Sequence, residues 1–347
     1  MSPYVLTIVS LSLLMGTSLT LTSNHWLTAW MGLEINTLAI IPLMTSSHHT
    51  RSMESATKYF MTQATASMII MFAIIYNASL TNQWTMTQIS NHWASLSMTL
   101  ALAMKLGLAP FHFWVPEVTQ GISLLSGMVI LTWQKIAPIS ILYQISPSLN
   151  MSILTTLSIL STILGGWGGL NQTHLRKILA YSSIAHMGWM TIIILIMPSL
   201  TLLNLLVYFA ATITLFITFN FTSMTKINSL SNLWNKSTIL AVILTLTLLS
   251  LGGLPPLTGF MPKWLILKEL TYYNNNFLAT VLALSALLNL FFYMRIIYAS
   301  SLTMFPSINN SKLHWAQPSQ KTLPIIPTLT ITTLLLLPLT PLYITLT

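Results

Sequence analysis

The chain contains no cysteine and no aspartate. Without thiols it can form no disulfide, no thiolate metal site and no iron–sulfur ligation. Its acids are Glu34, Glu54, Glu117 and Glu269 alone. Charge of either sign is scarce: 5% of the 347 residues are charged, against about 25% in a soluble globular chain. Glycine-rich nucleotide loops are also missing, because the GGWGG run from Gly165 to Gly169 has the wrong spacing and follows no strand. No basic segment opens the chain, and its first arginine is Arg51, which argues against a cleaved secretory signal and an Arg-rich transit peptide.

Long apolar runs fill the space that these absences leave. Hydrophobic residues make up 54% of the chain, and a bilayer core of about 30 Å is crossed by roughly 20 such residues in a helix. A closed β-barrel would instead alternate polarity over segments of about 10 residues. The runs here are continuous, so the expected fold is an all-α polytopic membrane protein. Eleven spans are expected, near 3–22, 25–44, 57–77, 94–117, 122–143, 149–170, 174–197, 199–221, 238–272, 276–299 and 323–344. The connections are short, which predicts a single membrane domain over 1–347; its longest polar stretch is a loop from Ser300 to Thr322.

The net charge of +9 sorts by side. Loops on the N-terminal side hold Arg51, Arg176, Lys177, Lys226, Lys236, Lys312 and Lys321, whereas the opposite side has little beyond Lys268. By the positive-inside rule the N-terminus faces the cytoplasm or matrix. The excess of Lys and Arg is thus a topology signal, and no nucleic-acid partner is expected.

Two runs are abnormal. Thr238 to Leu267 would be about 45 Å long as one helix, and it contains LGGLPPLTGFMP. Paired glycines followed by paired prolines interrupt helical hydrogen bonding. The fourth run carries KLGLAPFHFWVPE. Gly107-Leu108-Ala109-Pro110 with Pro116-Glu117 aligns with Gly253-Leu254-Pro255-Pro256 with Pro262-Lys263 at a constant offset of 146 residues. Runs four and nine cross in opposite directions, so they point to an inverted repeat of interrupted helices with a site at the midplane. Two coincident proline kinks are the plainer alternative.

Four charges lie inside apolar runs. Glu34 is nine residues from His25 and ten from Met44, about 14 Å from either interface. Lys105 and Lys135 are similarly deep. Lys263 is deep only if its helix breaks at Pro255-Pro256 and resumes; otherwise it is interfacial. Each mid-span charge costs about 2.5–3.5 kcal/mol, so the four must be paired, hydrated or neutralised. One carboxylate cannot neutralise three lysines. A lysine left over is costly as an ammonium and can exchange its proton, with Glu34 biasing which state is favoured. A static Glu–Lys pair locking two helices is the structural alternative. His112 and His186 are weaker relay candidates, since a neutral imidazole passes protons near pH 7, and each is equally explained as a hydrogen-bonded packing residue. Ser182, Ser183, Ala185 and Gly188 look like close helix packing, and the methionines like filler.

Several long motifs resemble one family. MGLEINTLAIIP around Glu34, RSMESATKYFMTQATASM from Arg51, KLGLAPFHFWVPEVTQG from Lys105, LNQTHLRKILAYSSIAHMGWM from Leu170 and SLGGLPPLTGFMPKW from Ser250 are similar to the antiporter-like membrane subunits of respiratory complex I, in their mitochondrially encoded vertebrate form. The resemblance covers essentially the full length. It implies two inverted five-helix repeats, about 1–145 and 146–300, with helices interrupted near Gly107-Pro110 and Gly252-Pro256, then a loop and C-terminal helix over 301–347. It implies that Glu34 pairs with Lys105, that Lys135 relays and that Lys263 is the terminal site. It places NADH, FMN, iron–sulfur clusters and ubiquinone in other subunits, with no cofactor or metal on this chain. Implied partners are other membrane-arm subunits, antiporter-like ones included, and lipids such as cardiolipin. The implied location is the mitochondrial inner membrane, N-terminus in the matrix and C-terminus in the intermembrane space. Bacterial members usually carry three more spans at the start, so a surface here would be left for a partner. A stand-alone cation/proton antiporter, or a structural subunit without its own proton path, remain the alternative functions.

Overall fold

Backbone polar groups inside a bilayer must find partners within the protein, and a helix supplies them within its own segment. In the computed structural model the described residues, 2–86, 89, 91–302 and 325–339, are helical throughout, apart from connections and two isolated bridges, His25 with Thr85 and His174 with Lys226. Hydroxyls inside the helices are satisfied by carbonyls three or four residues back, as in Thr20 to Thr17 O at 2.8 Å and Ser182 to Leu179 O at 2.8 Å. That local bonding lets many Ser and Thr sit in apolar helices.

The chain forms two compact units, Met1–Gly165 with Ser183–Pro198, and Gly166–Ser182 with Ser199–Thr347. The first contains α1 (Pro3–Thr22), α2 (Trp26–Met44), α3 (Thr50–Thr81), α4 (His92–Leu106), α5 (Trp114–Gly121), α6 (Leu124–Leu131) and α7 (Ile136–Ile145). Most of α8 (Met151–Gly169) and the later part of α9 (Leu175–Ile193) belong to it too. The second unit contains α10 (Pro198–Thr222), α11 (Leu233–Lys236), α12 (Thr238–Gly252), α13 (Phe260–Tyr272), α14 (Asn276–Ser301) and α15 (Ile325–Leu335).

Among the described residues seven helical segments are long and apolar enough to cross a membrane. The expected spans 94–117 and 238–272 are each divided into two short helices at the glycine–proline segments where interruptions were expected, and α9 carries Arg176 and Lys177 in its first turn. The third helix is longer than the expected 57–77. It runs 32 residues from a cap at His49, whose ring accepts from Arg51 N, to Asn82 in the left-handed region, about 48 Å in all. The polar stretch 300–322, with Lys312 and Lys321, lies outside the described residues from 303 onward, as does the end of the expected last span.

The two interruptions are built alike. Helices α4 and α12 are each 15 residues long and end on a left-handed glycine, Gly107 (φ 73°) and Gly253 (φ 84°). In each, the glycine N–H and the next N–H fold back on the last turn. Gly107 N bonds Met104 O at 3.2 Å and Leu108 N bonds Ala103 O at 2.9 Å, while Gly253 N bonds Ser250 O at 3.0 Å and Leu254 N bonds Leu249 O at 3.3 Å. This is a glycine C-cap that consumes otherwise unpaired carbonyls. The chain then resumes as α5 at Trp114 and α13 at Phe260, again 146 residues apart. Pro116 and Pro262 are the third residues of these helices, in a first turn whose N–H groups have no helical acceptor, so proline costs nothing there.

The first unit also packs closely at α1 and α2. A Cβ on Gly32 would lie 2.7 Å from Thr20 Cγ2 and 2.9 Å from Gly16 O, so small residues let the two backbones touch. Gly188 of α9 lies against Ser161 in the same way, and Ser183 and Ala185 are fully buried.

Candidate functional site

The three expected lysines are all buried, with Lys105 6%, Lys135 5% and Lys263 7% exposed. Each is placed at a helix interruption rather than in the middle of a regular helix. Lys105 occupies the last turn of α4, just before the Gly107 cap. Trp114 folds back over this end, its indole N–H donating to Met104 O at 3.1 Å, and stacks edge-on against Tyr59 of α3 at 5.8 Å.

Lys135 ends a 3₁₀ turn, Trp133–Lys135, that separates α6 from α7. The cause lies three residues on. Pro138 has no N–H to give to the carbonyl of Gln134, and its ring crowds that carbonyl. At the other side of the break Thr132 is distorted within the right-handed region (φ −115°, ψ −74°) and its hydroxyl bonds Met128 O at 2.7 Å. The Lys135 amino group reaches Ser183 O at 3.5 Å. Continuous helix was expected over 122–143; Pro138 is the signal that could have located this break.

Lys105 and Lys135 line a common cavity of about 20 Å³, together with Asn36, Thr37, Gln63 and Gln134. That volume suffices for about one water molecule. Gln134 is oriented by donating its amide to Asn36 O at 2.8 Å. Asn36 and Gln63 are 1% and 4% exposed, and the side-chain nitrogens of Asn36, Gln63 and Lys105 have no hydrogen-bond partner in the protein. These amides are neutral, so a search led by charge passes over them.

Glu34 sits on α2, half-buried, two residues before Asn36. Its backbone carbonyl accepts from Thr37 Oγ1 at 2.8 Å, and its Oε2 is buried without a hydrogen-bond partner. The carboxylate is near enough to act electrostatically on Lys105 and Tyr59, but it forms no direct ion pair with Lys105. The ion pairs among the described residues join Lys58 to Glu54 at 2.7 Å and to Glu117 at 2.8 Å, all three side chains being exposed. Two of the chain's four acids are therefore held at the surface, away from the buried lysines.

His112 is buried in the connection between α4 and α5, stacked on Phe113 at 4.3 Å and hydrogen-bonded to the Pro110 backbone. His186 is buried in α9. Neither lines the cavity shared by Lys105 and Lys135.

In the second unit Lys263 lies in the first turn of α13, so the helix does break and resume around it. Its amino group donates to Leu251 O at 3.0 Å and Gly252 O at 2.9 Å. These are the last carbonyls of α12, the negative end of that helix dipole, where a cation is stabilised. A charge not singled out by its position in the tenth run, Arg295 of α14, does the same for α8 by donating to Leu170 O. Among the described residues no cluster of three or more His or Glu could hold a metal ion.

Interrupted helices carrying buried lysines define an antiporter-like, multi-pass membrane protein. Residues 23–289 match the family model of the transmembrane region of NADH:quinone oxidoreductase and Mrp antiporters, and 290–344 match that of the NADH dehydrogenase subunit 2 C-terminus. NADH-ubiquinone oxidoreductase chain 2 of Metachirus nudicaudatus is 76% identical over 346 residues, covering 100% of both chains. The fold is similar to a chain of respiratory complex I from Thermus thermophilus with bound aureothin (TM-score 0.83, 23% identity, 97% of this chain and 78% of that one). It is also similar to a chain of the Mrp complex from Dietzia (TM-score 0.83, 16% identity, 96% and 75%). The chain belongs to the NADH:quinone oxidoreductase/Mrp antiporter family of membrane proteins.

Proposed function

We propose that the chain is a proton-translocating core subunit in the membrane arm of respiratory complex I, in the mitochondrial inner membrane with its N-terminus in the matrix. Electron transfer from NADH to ubiquinone takes place in other subunits; this chain contributes the proton path of the H⁺-translocating NADH:ubiquinone reductase. Residues of about 1–145 and 146–300 act as inverted repeats, a reading supported by the matched interruptions at Gly107 and Gly253. Other antiporter-like subunits of the arm are its partners, and cardiolipin is a suitable lipid for its basic matrix-side loops.

The observation that carries this reading is the cavity shared by Lys105 and Lys135. A proton held as ammonium on one lysine can pass to the neutral amine of the other, and two ammoniums facing one small cavity repel, so occupation of one favours release from the other. Glu34, unpaired but close, biases Lys105 toward holding the proton. Lys135 relays, and Lys263 is the terminal site. His112 and His186 have a subordinate part. The long relative identical at 76% supports assembly into complex I rather than action as a stand-alone antiporter.

The test is Lys105→Met in the intact complex, with protons translocated per electron pair measured in sealed membranes alongside quinone reduction. The ratio should fall while the complex still assembles. An unchanged ratio in the assembled variant would falsify the relay.

A further inference from the structure

Gln63 is a polar residue on the inward face of α3 with no assigned part in the relay. Its amide is 4% exposed, its Nε2 has no protein partner, and it lines the cavity between Lys105 and Lys135. Burying an amide donor unsatisfied is costly, and buried polar groups without a protein partner are normally satisfied by ordered water. The cavity, at about 20 Å³, has room for about one.

We infer that Gln63 is a positioning residue that fixes the orientation of a water molecule seated between Lys105 and Lys135. The inference rests on the reading of these lysines as proton carriers. Water has two lone pairs and two protons, an ammonium donates only, and a neutral amine offers one lone pair. If the Gln63 amide fills one lone pair of the water, the other is left for the ammonium, both water protons point away from the two donors, and one of them can be directed to the lone pair of the neutral amine. Transfer then balances. The ammonium N–H breaks as its proton bonds to the water oxygen, one water O–H breaks as its proton bonds to the amine, and a single positive charge has moved with the water regenerated. Without Gln63 the water is free to turn its protons away from the acceptor. Gln134 is already committed to Asn36 O at 2.8 Å, and the Asn36 amide, also without a protein partner, lies against Gly16 of α1, so Gln63 is the amide assigned to this task.

Gln63→Met keeps the length and bulk of the side chain and removes the donor; Gln63→Asn retains an amide. In the assembled complex, Gln63→Met should lower protons translocated per electron pair with quinone reduction preserved, and Gln63→Asn should recover part of that loss. A high-resolution cryo-electron microscopy map of the unaltered complex should show water density within hydrogen-bond distance of Gln63 Nε2. If Gln63→Met does not assemble, that density decides. A dry cavity, an unchanged ratio in assembled Gln63→Met, or a Gln63→Asn as impaired as Gln63→Met overturns the inference. Lys135→Met is measured in parallel. If it loses pumping while Gln63→Met keeps it, only the role of Gln63 falls; if Lys135→Met also pumps normally, the relay itself falls.

Discussion

Lys105 and Lys135 face one cavity but are anchored differently: Lys135 reaches the carbonyl of Ser183 at 3.5 Å, while the Lys105 amino group has no hydrogen-bond partner in the protein. A buried ammonium without hydrogen bonds is strongly disfavoured, and the carboxylate of Glu34 acts electrostatically on Lys105. The protonation of Lys105 is accordingly tied to an acid on another helix.

Glu34→Gln should therefore uncouple. The amide is nearly isosteric, so α2 and its contact with α1 are expected to persist. Native electrophoresis should show normal assembly and the rate of quinone reduction should be retained, with fewer protons translocated per electron pair. Full pumping in Glu34→Gln would exclude a biasing role for this carboxylate.

Pro138→Ala tests whether the break at Thr132–Lys135 serves function rather than stability. The alanine N–H can bond Gln134 O, drawing the 3₁₀ turn toward continuous α-helix and rotating Lys135 away from the cavity. Assembly is expected to be equal or better, with pumping reduced and a straightened segment visible by cryo-electron microscopy. Unaltered pumping with a straightened helix would detach Lys135 from the path.

Lys263→Met removes the donor to Leu251 O and Gly252 O. Leaving buried carbonyls without their donor costs about 1–3 kcal/mol. Thermal unfolding of the purified complex should occur at lower temperature, and amide exchange in the last turn of α12 should accelerate. If exchange there is unaffected, the capping contact contributes nothing and Lys263 is free to act solely as a carrier.

Lys58→Met is the matched control. Lys58 bridges Glu54 and Glu117 at the surface, where ion pairs contribute little and salt screens them. Neither stability nor the proton-to-electron ratio should change. A loss of pumping would bring this exposed cluster into the path.

Much of this arrangement is legible in the amino-acid sequence, for a physical reason. Lys105, Lys135, Lys263 and Glu34 stand out because charge is expensive in an apolar run, and Gly107 and Gly253 because glycine before proline ends a helix. Gln63, Asn36 and Gln134 do not stand out, since a neutral amide carries no comparable insertion cost and its role depends on a cavity that only packing creates. The 3₁₀ turn before Pro138 was hidden by a hydrophobic run that reads as uninterrupted. The bonds from Lys263 to α12 join residues on either side of a break, so they follow from how the chain turns between them. Helix α3 outruns its apolar segment because the capping box of His49 and Ser52 satisfies its first N–H groups within polar sequence.

The paired interruptions have one more consequence. The position 146 residues before Lys263 is Glu117: same distance after the glycine cap, same place in the first turn after a proline, opposite charge. One side chain turns inward onto the carbonyls of the preceding helix, the other outward onto Lys58. The break thus works as a socket indifferent to the sign of what it carries. Substituting a single side chain at either break would change its polarity, with the backbone around it left as it was.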